Sequence, residues 1–252
     1  MEKYKKIKFI FLGPILLVGF WFAVTNLNLI NPLFLPTPQK VAVALFSSLI
    51  HIDIWRDLFF TLYRAFIALV MGTLIGVPLG LLMGYFDRFY YSFEFIIEFF
   101  RSTPATALFP LFLLFFGIGD LAKIMLVFWA VLFIIIVHSI YGVRLGKRSR
   151  YRVAKVMGFH GFSLFKKFIF PEALPQILAG LRIALSTSLI IVVVMEMFIG
   201  TQIGLGKRII DFQLVYRIPE MYAAILLVGT VGYILNKLFI GQEKRIVHWS
   251  GK

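Results

Sequence analysis

The sequence predicts an all-α integral membrane protein with six transmembrane helices. Three observations carry that prediction: an excess of apolar residues, their grouping into runs of span length, and the placement of the basic residues. Of 252 residues, 60% are hydrophobic and only 15% are charged, and mean hydropathy is +0.91. Soluble domains sit near 45–50% apolar and about 25% charged. A core of this size cannot bury so much apolar surface, so lipid must cover part of it. The length suits one domain.

A span takes about 20 mostly apolar residues, rising 1.5 Å each, to cross a ~30 Å hydrocarbon core. Six segments meet or approach that length: 8–27, 62–86, 99–118, 121–142, 174–200 and 221–240. The third carries Pro104 and Pro110, and the sixth meets Lys237 early. Proline inside a span is tolerated where neighbours re-satisfy the backbone. The lysine-rich start followed by Phe9–Val24 reads as a retained first span, not a signal peptide, because the apolar run is long and no small-x-small site follows. Between the first two spans, Pro32, Pro36 and Pro38 forbid a regular helix. Beyond them, Val41–Ile50 and Ile54–Phe60 suit an amphipathic helix on the membrane face.

Basic residues outnumber acidic ones by 26 to 12, a net charge of +14. They cluster in the first eight residues, in the loop from Arg144 to Lys167, and in the tail at Lys237, Lys244, Arg245 and Lys252. With six spans and the amino terminus inside, all three clusters fall on one face, as the positive-inside rule asks. This placement explains the basic balance without nucleic acid. The absence of cysteine excludes disulfides and thiolate chemistry. Histidines at 51, 138, 160 and 248 have no metal-ligand spacing, and no Ser/His/Asp set is suggested locally. No catalytic residue, metal or cofactor is expected.

Gly72, Gly76, Gly80 and Gly84 recur every four residues. On a helix they make one stripe without side chains, suited to close helix packing within the chain or across a dimer. Pro78 lies inside the stripe. Gly204-Leu205-Gly206-Lys207 resembles a phosphate loop but has Thr201 and Arg208 where that loop needs Gly and Ser/Thr, so a turn remains. Gly117 and Gly119 also mark a turn. Arg182 and Glu196 are charges at membrane depth and hence candidate functional residues. Fourteen residues separate them, about 21 Å along a helix, and both fall on one side. With Ser186 they form either a polar stripe on a translocation path or an interfacial anchor and a structural hydrogen bond. His138 reads as a satisfied interior residue. Arg64, Glu94, Glu98 and Arg101 read as anchors at inner ends of spans.

The most informative segment is Arg150–Lys167, RYRVAKVMGFHGFSLFKK. Its small residues Ala154, Gly158 and Gly161 lie among aromatic and apolar ones, which predicts a short helix, a turn at 158–161 and a second helix. It is too short and too charged to span. It either anchors on lipid headgroups or presents Val153, Met157 and Phe159 to a partner.

At this loop the sequence resembles the membrane subunits of binding-protein-dependent ABC importers. Their cytoplasmic loop reads Glu-Ala-Ala, three residues, Gly, then an apolar stretch ending in Pro. Here Ala154, Gly158, Phe168, Ile169 and Pro171 fit, while Arg152 and Val153 stand where the family has Glu and Ala. Leu35-Pro36-Thr37-Pro38, Gly76–Gly80, Phe116–Ile124 and Ala179–Arg182 are similar to the sulfonate, taurine and nitrate permease branch. The resemblance runs from about residue 30 to 245.

The resemblance implies a type I ABC importer transmembrane domain at 56–241. A first helix with an extracytoplasmic connection would occupy 1–55 and a cytoplasmic tail 242–252. It implies ATP-binding cassette ATPase subunits docked on a coupling helix formed by Arg152, Val153, Ala154, Met157, Gly158 and Phe159. An extracytoplasmic solute-binding protein and a second permease subunit, first of all an identical copy, complete the assembly. The expected setting is the cytoplasmic membrane of a prokaryote, with both termini cytoplasmic and a small anionic solute. The competing expectation is an ion-coupled secondary transporter or channel working without an ATPase, which would rest on Arg182 and Glu196.

Overall fold

The computed structural model describes residues 11–146, 148–198 and 201–248. The first basic cluster, Lys147, Gly200 and Lys252 lie outside these residues, and no strand occurs among them. Helix α1 covers Leu12–Asn26, α2 Pro38–Ile50, α3 Ile52–Tyr85, α4 Asp87–Ser102, α5 Phe109–Phe116 and α6 Asp120–Arg144. Helix α7 covers Arg148–Val156, α8 Gly161–Glu196, α9 Leu205–Leu214 and α10 Ile218–Ile246. Four of these, α3, α6, α8 and α10, are long and apolar enough to cross a membrane. Helix α4 and the stretch from Ala105 to Phe116 pass the same test only as a bent pair, a broken span or a re-entrant loop, which brings the count to five if the pair is one span. The described part of the first expected span, α1, is 15 residues long.

Two boundaries differ from the sequence reading. The second span begins ten residues earlier, because Ile54–Phe60 continues into α3 instead of lying on the membrane face. The segment 99–118 is not one rod: it straddles a break where the chain turns by 88° between α4 and the helical stretch from Ala105 to Phe116. Pro104 causes it. Proline removes a backbone donor and pushes the preceding residue out of the helical region, and Thr103 is extended at ψ 124°. Pro110, in the first turn of α5, is tolerated, because the amides there have no helical partner anyway.

Helix α6 is the centre of the bundle. The glycine stripe of α3 lies along it. A Cβ on Gly72 would sit 2.7 Å from Val131, on Gly76 3.0 Å from Ile135, on Gly80 2.5 Å from the Ile136 carbonyl, and on Gly84 2.7 Å from Val143. The stripe therefore serves a contact within the chain. Helix α8 closes on the other side, where a Cβ on Gly142 would sit 2.8 Å from the Ala173 carbonyl and one on Gly180 would collide with His138. His138 faces Gln176 at 3.4 Å, in keeping with a satisfied interior residue. Such approaches let dispersion between backbones hold helices where lipid supplies no hydrophobic force.

The proline-rich connection is pinned at three points. Trp21 donates its indole N–H to the Pro36 carbonyl at 3.0 Å, Thr37 caps α2, and Tyr222 donates to the Phe34 carbonyl at 3.1 Å. Near its start, α8 contains a π-helical stretch, Phe165–Ile169.

Replacing Gly80 by Ala is expected to lower stability by about 1–3 kcal/mol, as overpacking in a filled core does. Gly229→Ala, inside α10 with nothing within 4 Å of its Cβ, is the control expected to raise stability slightly, by up to about 1 kcal/mol from helix propensity. Thermal unfolding of the purified protein in detergent checks both.

Candidate functional site

The two ends of the bundle differ. One end carries the basic loop, and Asp87 at the start of α4 pairs there with Arg144 at the end of α6 at 3.0 Å. The other end carries a buried ionic cluster. Asp57, Thr61 and Arg64 follow at i, i+4 and i+7, so one face of α3 presents all three. Arg64 is 3% exposed. Its guanidinium reaches Glu196, the last residue of α8, at 2.5 Å and Asp120, the first residue of α6, at 2.8 Å. It also donates to the Ile203 carbonyl at 2.8 Å.

The same carboxylates cap α9. The Gly204 N–H donates to Asp57 at 2.9 Å, Leu205 N–H to the Thr61 hydroxyl at 3.0 Å, and Gly206 N–H to Glu196 at 3.0 Å. Thr61 passes the chain on, donating to Glu196 at 2.8 Å. Arg208 pairs with Asp57, and buried Lys123 lies 3.6 Å from Asp120. Three cations thus face three carboxylates, and the amides of Gly204, Leu205 and Gly206 at the start of α9 find side-chain acceptors. Buried charge is tolerated only when paired and hydrogen-bonded. The cluster ties α3, α6, α8 and α9 together.

Arg64 is therefore no anchor. It sits at the end opposite the basic loop, as the buried partner of Glu196. Arg182 and Glu196 are not brought together: Arg182 is partly exposed and pairs with Glu243 of α10 at 3.6 Å, while Glu196 is 0% exposed. The Ser186 hydroxyl turns back to the Arg182 carbonyl at 3.4 Å. Asp57, Thr61, Asp120 and Arg208 carry no site role in the sequence reading, where Arg208 serves only to rule out a phosphate loop and Asp120 lies within a family motif. The i, i+4, i+7 repeat on α3 is the available signal, but the sequence reading divides it between a surface helix ending at Phe60 and a span starting at residue 62.

At the basic end, α7 has the anticipated helix–turn–helix form. Its carboxyl end is a Schellman cap: Phe159 N–H donates to the Ala154 carbonyl and Gly158 N–H to the Lys155 carbonyl, each at 3.0 Å. The cap needs a left-handed residue, and Gly158 supplies φ +88°. Ala154 is 1% exposed and packs with Leu81, Val143, Leu164, Ile169 and Ala173. Beside it, burial and the nearby Glu172 push the Tyr151 phenol up to about 12. Val153, Val156 and Met157 are 59%, 89% and 68% exposed, and Arg152 is exposed too. Phe159 differs from the sequence reading. It turns inward, its ring 5.0 Å from Phe168, with the Lys167 ammonium 5.1 Å from its centre.

A bundle of membrane-length apolar helices, with an ion cluster at one end and a basic helix bearing exposed apolar side chains at the other, defines a polytopic membrane protein. Comparison with known proteins narrows this. The description "binding-protein-dependent transport system inner membrane component" matches residues 72–242, and the chain belongs to that family. The taurine transport system permease of Escherichia coli K12 is 30% identical over 94% of this chain and 87% of its own length. A nitrate import permease of Leptolyngbya laminosa is 30% identical over 74% of this chain and 67% of its own. A chain of the MetNI methionine ABC transporter, solved in inward-facing conformations, superposes with a TM-score of 0.66 at 22% identity. It covers 79% of this chain and 96% of its own, a likeness of fold.

Removing one member of a buried ion pair costs about 3–5 kcal/mol, because the other charge is left unpaired. Glu196→Ala is expected to lose that much stability. Arg64→Met combined with Glu196→Leu is expected to lose clearly less than the sum of the two single changes. A double-mutant cycle on thermal unfolding reads the coupling.

Proposed function

We propose that this chain is the membrane-spanning permease subunit of an ATP-driven ABC importer for a small anionic solute. The observation that carries the reading is α7: a short helix held to the bundle through Ala154, with Val153, Val156 and Met157 turned outward. An apolar row on the charged face of a membrane protein suits a protein groove better than water. Arg152, Val153, Ala154, Met157, Gly158 and Phe159 form the coupling segment, with Ala154 and Phe159 as its inner anchors. ATP-binding cassette subunits dock there, and their closure pushes α7 as a lever on the bundle. The solute class follows from relatives named for taurine and nitrate import.

The basic loop supports a cytoplasmic setting for this end; on this reading both termini are cytoplasmic and the ion cluster faces the solute-binding protein's side. Residues 1–55 supply the first helix and extracytoplasmic connection, 56–241 the transmembrane domain and 242–252 the tail. The division at 55 falls one turn inside α3. A second copy of the chain completes the pathway.

A β-branched side chain at φ +88° is strained, so Gly158→Val unseats the cap without touching the spans. Co-purification with its ATP-binding cassette subunit is expected to fall severalfold in Gly158→Val and in Met157→Asp, with unfolding temperature unchanged. Full retention of the ATPase in both variants overturns the reading. So does ion-driven solute uptake by this chain alone in liposomes.

A further inference from the structure

Helix α4 carries charged residues along its whole length, away from the basic end as well as at it. It starts at the basic end, where Asp87 pairs with Arg144. Its sixteen residues rise about 24 Å. Phe100 meets Trp129 of α6 edge-on at 4.8 Å and stacks on Phe133 of α6 at 5.6 Å. Those two residues flank the midpoint of the 25-residue α6. Arg101, next to Phe100, therefore lies near mid-membrane, and Glu98 lies one turn closer to the basic end. Neither is an inner-end anchor. They pair with each other at 2.5 Å, and each is 48% exposed.

Tyr90, Glu94, Glu98 and Arg101 form one stripe along α4. Tyr90 donates to Glu94 at 2.7 Å, and Arg101 donates to Glu98. A crevice between this stripe and α6 is lined by Tyr90, Glu94, Ile97, Glu98, Val137 and Tyr141. Beyond Arg88 and Ser92 near its start, the other exposed face of α4 is apolar, with Phe89, Phe93, Phe95, Ile96 and Phe99. Lipid accepts the apolar face. It does not accept the polar one: ionisable residues at mid-membrane face a bundle interior or a water-filled cavity.

We propose that this stripe is the wall of the translocation path from the cytoplasmic face to mid-membrane, and that Arg101 at its top receives the anionic group of the solute. Glu98 holds the guanidinium when no solute is present. An arriving sulfonate, carboxylate or nitrate replaces it, and its planar or forked oxygens suit two parallel guanidinium bonds. Glu98, as a fixed negative charge beside the site, keeps the anion from being held too tightly to leave. The proposal deepens the permease reading and rests on it for direction and solute class.

The chain has no cysteine, so single thiols report water access directly. In inside-out membrane vesicles holding the full chain, Glu94→Cys and Glu98→Cys are expected to react with membrane-impermeant methanethiosulfonates. Phe95→Cys, on the apolar face, is expected not to react. At Glu98→Cys a sulfonate-bearing reagent is expected to gain roughly fivefold over a trimethylammonium-bearing one, the difference between opposite unit charges about 9 Å from a guanidinium in a water-filled path with a dielectric of about 80. Adding Arg101→Gln is expected to abolish that preference while labelling persists. Equal reaction at 95 and 98, or none at 94 and 98, overturns the path. Labelling without a charge preference, or a preference that survives Arg101→Gln, overturns the anion site. Neither readout needs the ATPase, so failure here is distinct from failure of the docking reading.

Discussion

Everything in this fold depends on how closely α6 can be approached from both sides. Lipid gives helices no hydrophobic reason to associate, so contact energy must come from packing at short range. The α3 stripe provides it over four turns, from Gly72 against Val131 to Gly84 against Val143. Gly142 and Gly180 provide it between α6 and α8. With three long helices fixed as a sheaf, their ends are fixed too. Arg64, Asp120 and Glu196 come within bonding distance at one end, and Leu81, Val143 and Ala173 make a seat for α7 at the other.

The two ends solve different problems. At the ionic end, the chain must return after α8 without exposing backbone amides, and Asp57, Thr61 and Glu196 accept the three that lead α9. The result is a polar assembly with its charges balanced. At the basic end, α7 buries one small residue and leaves its larger apolar ones outside. A satisfied cluster resists change, whereas an unsatisfied apolar row invites a partner. The asymmetry matches a bundle acted on from one side.

How much of this could be read in the sequence depended on distance along the chain. The glycine stripe and the cap at Gly158 are local patterns, and both were legible. Which helix the stripe faces was not, because spacing of four says that something approaches, not what. Pro104, visible inside the expected third span, makes the break, but the direction taken beyond it is not a local property: Phe100 and Phe112, on its two sides, both pack against Trp129 of α6. Arg182 and Glu196 share a helical side, yet their partners come from α10 and α3, over 60 and 130 residues away in sequence. Phe159 was read as outward because it is large, apolar and in a loop. The Schellman geometry that turns it inward becomes apparent only once Ala154 is seen to be buried.

The π-helical stretch at Phe165–Ile169 sets where α7 points. A π turn holds one residue more than an α turn would, and one residue corresponds to about 100° around the helix axis. Deleting a single residue there would leave the rest of α8 seated on α6. Everything before it would swing round, carrying Val153 and Met157 to a different compass bearing. The aim of the exposed helix is thus encoded partly as a count of residues, a property that no substitution in the loop itself can restore.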